Sequence, residues 1–231
     1  MGSRRTSRRI DQAMGKSLNC IDPLKLQQVL ANHLAIYRSK VPYYQATMLT
    51  CLLSLWRGRH QRLLDVGGGT GVIAQAVAEL FPVDSVEAVD SVDRFCTGLS
   101  IPVQAYDGRT LPYPDARFDG AMINNVIHHV PVAARAGLLR EIRRAVDGPL
   151  YIKDHEMRGR VDSLRLTALD AVGNLPFGGM LWASYLTRDD WKELAEASGY
   201  RITAWTSGQY RTGSFAALFP NRLEITMRFE P

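Results

Sequence analysis

Leu63-Leu64-Asp65-Val66-Gly67-Gly68-Gly69-Thr70-Gly71-Val72 is the stretch on which the reading of the whole chain turns. A short apolar run suited to a buried strand leads into four glycines within five positions, and a helical apolar pattern follows at once. Glycine tolerates positive φ and lets a ligand approach the backbone, so this is the ligand-binding turn of an open α/β sheet. Gly69-Thr70-Gly71-Val72-Ile73-Ala74 also satisfies the GxGxx(G/A) dinucleotide pattern, with Asp90 nineteen residues after Gly71. Asp65 weighs against a dinucleotide: it stands where a pyrophosphate would lie, and a carboxylate repels phosphate but attracts an ammonium group. Neither a GxxxxGK(S/T) loop nor a YxxxK pair occurs. The loop therefore favours a cationic ligand without phosphate.

Outward from the loop, strands and helices alternate. Strands are expected at 62–66, 85–90, 102–106, 118–126 and 150–154, with helices at 72–81 and 132–146, which describes βαβ units around a parallel sheet. Only about ten residues, 91–100, separate the second and third strands. Helical periodicity over 23–37 and 42–56 predicts two helices ahead of the first strand. Residues 157–186 interrupt the rhythm with a helical stretch near 164–172 and the turn-rich Asn174-Leu175-Pro176-Phe177-Gly178-Gly179, and read as a cap. Thr187 with Asp189 and Asp190 predicts a helix over 188–197 ending at Ser198-Gly199, and strands at 200–205 and 223–229 close the sheet. The expected division is a basic flexible tail at 1–20, N-terminal helices at 21–59 acting as a lid, and a core at 60–231 with its cap at 157–186.

Composition narrows the function classes. A chain of 231 residues, 46% apolar and 22% charged, can bury a substantial core. Cys20, Cys51 and Cys96 are odd in number and form no CxxC pair, which argues against a disulfide framework or a four-thiolate zinc site and fits a reducing cytoplasm. No run reaches the ~18–20 apolar residues of a membrane helix, and no apolar leader is expected at the amino terminus. Arg4, Arg5, Arg8 and Arg9 supply four of the five net positive charges, so the body is nearly neutral and a small organic partner is favoured over nucleic acid.

Further motifs join the glycine loop: Ser85-Val86-Glu87-Ala88-Val89-Asp90, Asp107-Gly108, Leu111-Pro112-Tyr113-Pro114-Asp115-Ala116-Arg117-Phe118-Asp119, and Asn124-Asn125-Val126-Ile127-His128-His129. In this order the chain resembles the class I S-adenosylmethionine-dependent methyltransferases of the small-molecule type, over about residues 60–155 and more weakly at Tyr185-Leu186-Thr187 to Trp191 and Ser198-Gly199-Tyr200. The resemblance implies a Rossmann-like α/β fold with a seven-stranded, mostly parallel sheet, N-terminal helices and a helical cap insertion. It also implies S-adenosylmethionine as cofactor, bound by Asp65, Gly67, Gly69, Gly71, Asp90, Asp107, Gly108 and Asn124. Asp90 would grip both ribose hydroxyls, since one carboxylate accepts two hydrogen bonds from a vicinal diol, and Asp107-Gly108 would face the adenine amino group.

Methyl transfer is an in-line displacement that asks mainly for alignment and exclusion of water, with a base helpful where the acceptor is a hydroxyl. His155 is the expected base, Asp154 its neighbour and His128 a further catalytic candidate, while at least one of His128 and His129 is expected to be structural. Asp154, His155, Asp170 and Asn174 offer metal-ligand atoms, but without a compact spacing motif no metal site is expected. Tyr37, Tyr44, Phe177, Trp182 and Tyr185 are expected to wall an apolar or aromatic acceptor. The expected reaction is methylation of a small metabolite, O-methylation ahead of N or C. RNA or protein methylation anchored by the arginine tail, a cofactor-binding cyclase that no longer methylates, and a nicotinamide oxidoreductase stand as alternatives, and the oligomeric state is left open.

Overall fold

β1 (His60–Val66) sits at the centre of the sheet because Leu63, Leu64 and Val66 are fully buried and both of its edges are paired. The computed structural model describes residues 20–174 and 183–231, with the backbone alone at 172–174. β1 runs parallel to β2 (Val83–Asp90) on one side and to β4 (Gly120–Asn124) on the other. β3 (Val103–Ala105) lies outside β2, and β5 (Leu150–His155) pairs in parallel with β4. β7 (Glu224–Glu230) is antiparallel to β5, and β6 (Arg201–Thr206) is antiparallel to β7. The order β3-β2-β1-β4-β5-β7-β6 is the expected seven-stranded, mostly parallel sheet. Its consequence is positional: the carboxyl ends of β1, β2, β4 and β5 and the amino end of β7 share one edge, with the switch point between β1 and β4.

Helices α1 (Pro23–Ala31), α2 (Tyr43–Ser54) and α3 (Val72–Leu80) cover one face, where Leu26, Leu30, Leu49, Leu52 and Val77 pack on Leu63, Val86, Met122 and Tyr151. α4 (Val132–Ala145) and α6 (Arg188–Ala197) cover the other, setting Leu139, Ile142 and Trp191 against Leu64, Val66, Ile123 and Ile152. Each fully buried leucine or isoleucine contributes ~1.5–3 kcal/mol. α6 starts where its cap predicts, with Thr187 and Asp190 forming a reciprocal capping box. α5 (Arg160–Asn174) carries the described part of the cap and anchors it through Leu166, buried with Tyr185 and Leu223.

Four local differences have physical causes. The predicted helix over 23–37 breaks after α1 into a separate 3₁₀ turn, Ala35–Arg38. The fourth strand stops at Asn124 because Asn125 takes a left-handed φ of 56°. β3 shrinks to three exposed residues because it is the sheet edge. The short α7 (Gly213–Leu218) buries no residue, so the sequence carries no amphipathic signal for it. The 91–100 connection holds no helix; Cys96 N–H donates to Thr70 O (2.9 Å) and Ser100 N–H to Gln75 Oε1 (2.8 Å), fastening it to the glycine loop and α3.

Candidate active site

The glycine loop is sewn to β2 by Gly67 and Gly68, whose N–H groups both donate to Val89 O at 2.8 and 3.0 Å. Gly69 has φ +59°, and a Cβ built there would meet nothing within 4 Å, so the loop apex faces open space. Gly71, at φ +79°, serves packing instead: its Cβ would lie 2.6 Å from Leu99 Cδ1. Asp90, at the end of β2, accepts the Gly69 N–H through Oδ2 (2.8 Å) and the Val92 N–H through Oδ1 (2.9 Å). Each carboxylate oxygen has a second lone pair, so this anchoring leaves acceptors for a diol.

Behind the loop, Asp65 is buried and its Oδ1 has no hydrogen-bond partner among the described residues. Burial, then the charge of Asp90, pushes its carboxyl up to about 7. At the end of β4, the amide oxygen and nitrogen of Asn124 are both buried without a described partner. Orphaned buried polar groups cost ~1–3 kcal/mol each, and three such atoms on one sheet edge could be satisfied by the polar atoms of a ligand. Asp107 is exposed and spends Oδ1 on the N–H groups of Arg109 and Thr110, a turn that Gly108 (φ +74°) continues; those hydrogen bonds lower its pKa.

Next to this half lies a buried ionic hub centred on Glu224. The fully buried Lys153 Nζ donates to Glu224 Oε2 (2.7 Å), to Tyr44 Oη (2.6 Å) and to Asn125 Oδ1. Tyr44 O–H in turn donates to Glu224 Oε2 (3.1 Å), and Arg211 grips Glu224 Oε1. Burial would raise the Glu224 carboxyl, but Lys153, then His155 and Arg211, hold it well below its usual range. Tyr210 Oη, Arg211 Nη1 and Thr226 Oγ1 are further buried polar atoms without a described partner. The ring of His155 stands between two carboxylates, with Nδ1 3.3 Å from Glu224 Oε2 and Nε2 3.6 Å from Asp170 Oδ1.

The Asp154 carboxylate bonds the ring of His128 and not that of His155. Its Oδ1 lies 2.6 Å from His128 Nδ1 and also accepts the His155 backbone N–H (2.7 Å), while Oδ2 accepts the Ile127 N–H (3.1 Å). Successive strand side chains point to opposite faces, so Asp154 turns away from the side shared by Lys153 and His155. His128 is 1% exposed. Burial alone would lower its pKa, but Asp154, and after it Asp170, reverse the sign and carry it up to about 9. Asp154 is held below its normal value by that pairing, which overcomes burial. This pair pins the turn after β4 to β5.

Of the residues expected to wall the acceptor, Tyr44 lies in the Glu224 hub, and Tyr185 donates its O–H to Asp170 Oδ2 (2.6 Å). Tyr37 is instead buried in the apolar layer of α1, α2 and α3. Phe177 and Trp182, like the side chain of Asn174, lie outside the described residues. Lys153, Glu224, Arg211 and Asn125 were missed. The charged run Lys153-Asp154-His155 inside an otherwise apolar strand was the available signal; nothing local marks Glu224. An open groove of about 500 Å³ lined by Lys192, Tyr200 and Trp205 borders β6 and shares no residue with this site.

Comparison with known proteins agrees with this geometry. The family described as methyltransferase domain matches residues 37–204. A release factor glutamine methyltransferase from Gloeobacter violaceus is 33% identical over 132 residues, covering 52% of this chain and 44% of that protein, so the chain spans less than half of that relative's length. The fold is shared with an S-adenosylmethionine-dependent methyltransferase from Mesorhizobium loti (TM-score 0.59, 16% identity, 80% and 98% of the two chains covered). It is also shared with magnesium protoporphyrin IX methyltransferase from Synechocystis, solved with SAH bound (TM-score 0.55, 16% identity, 84% and 86% covered).

The sheet order and the family match together define an S-adenosylmethionine-dependent methyltransferase. The chain belongs to the methyltransferase-domain family. Its cofactor is S-adenosylmethionine, which when bound supplies an electrophilic methyl group on a sulfonium. The residues fit that molecule: an open cradle at Gly69, carboxylates at Asp65 and Asp90, and the unpaired Asn124 amide. No described helix is long and apolar enough to cross a membrane.

Proposed function

We propose that the chain methylates an oxygen atom of a small organic molecule seated over the ends of β4 and β5. The observation that carries this reading is the ring of His155, held between Glu224 and Asp170 beside a set of buried polar atoms without described partners. A histidine beside the acceptor can serve as a general base, its ring oriented by the two carboxylates that flank it. Tyr44, Tyr185 and Tyr210 offer aromatic walls for the organic body, while Arg211 Nη1, Tyr210 Oη and Thr226 Oγ1 are available to its polar atoms. The cofactor end is assigned to Asp65, Gly67, Gly69, Asp90 and Asn124, with the Asp107-Gly108 turn at the adenine.

The test is a mass-spectrometric screen of the purified chain with S-adenosylmethionine and libraries of hydroxylated, aminated and peptide acceptors. A methyl ether or ester product is expected. The His155→Asn variant should then lose ~10²–10⁴ in kcat at unchanged cofactor affinity. Turnover confined to nitrogen, protein or RNA acceptors, or a kcat indifferent to His155, would overturn the reading.

A further inference from the structure

The side chains of His128, His129 and Asp170 each offer one ligand atom, and these three atoms all lie within 4.8 Å of one another. We propose that they form a binding site for a divalent transition-metal ion of the zinc class, joining the cap helix α5 to the turn after β4.

Three observations converge on it. First, His128 Nε2 is buried, has no hydrogen-bond partner among the described residues, and faces Asp170 Oδ2 at 3.3 Å. A charge-assisted N–H···O bond is shorter, ~2.7–2.9 Å, as the 2.6 Å contact of the same ring with Asp154 illustrates. Two ligands bound at ~2.0–2.1 Å to a tetrahedral ion stand about 3.3–3.4 Å apart, so the separation matches two ligands of one metal ion.

Second, the supporting shell is already built. A metal-bound histidine commonly donates its other ring N–H to a carboxylate, which fixes the tautomer and raises ligand basicity. Asp154 does this for His128, itself locked by the N–H groups of Ile127 and His155. Tyr185 O–H steadies Asp170 Oδ2, and His155 Nε2 stands 3.6 Å from Asp170 Oδ1.

Third, the donor set is selective. Two imidazoles and one carboxylate suit zinc, cobalt or nickel, whereas magnesium and calcium prefer all-oxygen cages. Binding forms a metal–Nε2 bond at His128 and sends any proton held there to solvent. Three protein ligands leave a fourth position to water.

The experiment is calorimetric titration of the full, chelator-treated chain with zinc chloride, without S-adenosylmethionine or acceptor, so its outcome is independent of the methyl-transfer reading. Saturable binding of one ion per chain is expected, and cobalt(II) should give the intense visible bands of tetrahedral coordination. Asp170→Asn and His129→Gln, both checked as folded by circular dichroism, should each weaken binding by more than about 100-fold, since outer-shell partners alone are worth ~10–100-fold. Cys20→Ser, which alters an exposed thiol, should leave it unchanged. Absence of saturable binding, or wild-type affinity in either Asp170→Asn or His129→Gln, overturns the site.

Discussion

Lys153 and Glu224, separated by 71 positions in sequence, meet at 2.7 Å with neither side chain more than 1% exposed. A buried ion pair adds little net stability compared with an apolar pair, but removing one partner strands the other. Lys153→Met should therefore destabilise the chain by about 3–5 kcal/mol, toward the lower end because Arg211 still pairs with Glu224. Urea denaturation at neutral pH measures it, and a change within about 0.5 kcal/mol, the usual range for surface substitutions, would contradict the pairing.

Asp90 ties the cofactor loop to β2 and is assigned the ribose. Asp90→Ala removes charge-assisted hydrogen bonds worth ~1.5–3 kcal/mol each, so S-adenosylmethionine affinity should fall by about 10- to 100-fold or more. Calorimetry of the cofactor alone decides it, and an unchanged dissociation constant would remove Asp90 from the site.

Asp65 makes a pH prediction with a definite sign. Its carboxyl is raised to about 7 from 3.8, so between those values the folded chain binds more protons than the unfolded one. Relative to Asp65→Asn, the wild-type chain should lose stability as pH rises from about 4 through 7. Cofactor affinity should move the other way, rising through pH 7 as Asp65 ionises toward the cofactor's ammonium group. Thermal melts and calorimetry at pH 5, 6, 7 and 8 test both trends; parallel profiles for the two chains would refute them.

Gly71 and Gly69 separate packing from binding. Both have positive φ, costing an L-residue ~1–2 kcal/mol, but only at Gly71 does an added methyl strike a neighbour. Gly71→Ala should lower the melting temperature more than Gly69→Ala. Gly69→Ala should act chiefly on cofactor affinity, because its Cβ points into open space.

What the sequence made legible is local. The glycine loop, the carboxylate closing β2 and the capping box of α6 are each contained within about ten residues, where period, turn chemistry and capping speak directly. The shortened 91–100 connection was visible for the same reason. The hub was not, because Glu224 reaches Lys153 only through the antiparallel register of β7 on β5, which aligns Glu224 with His155. The pairing of Asp154 with His128 depends likewise on where the turn after β4 lands, although strand alternation already forbids Asp154 and His155 a common face.

One carboxylate, Glu224, thus receives a tyrosine from α2, a lysine from β5 and an arginine from the loop after β6. Groups that share a partner couple by ~0.5–3 kcal/mol, so single exchanges among them will mislead about their separate worth. Replacing these side chains therefore calls for compensated combinations, since a change to one alone unbalances the rest.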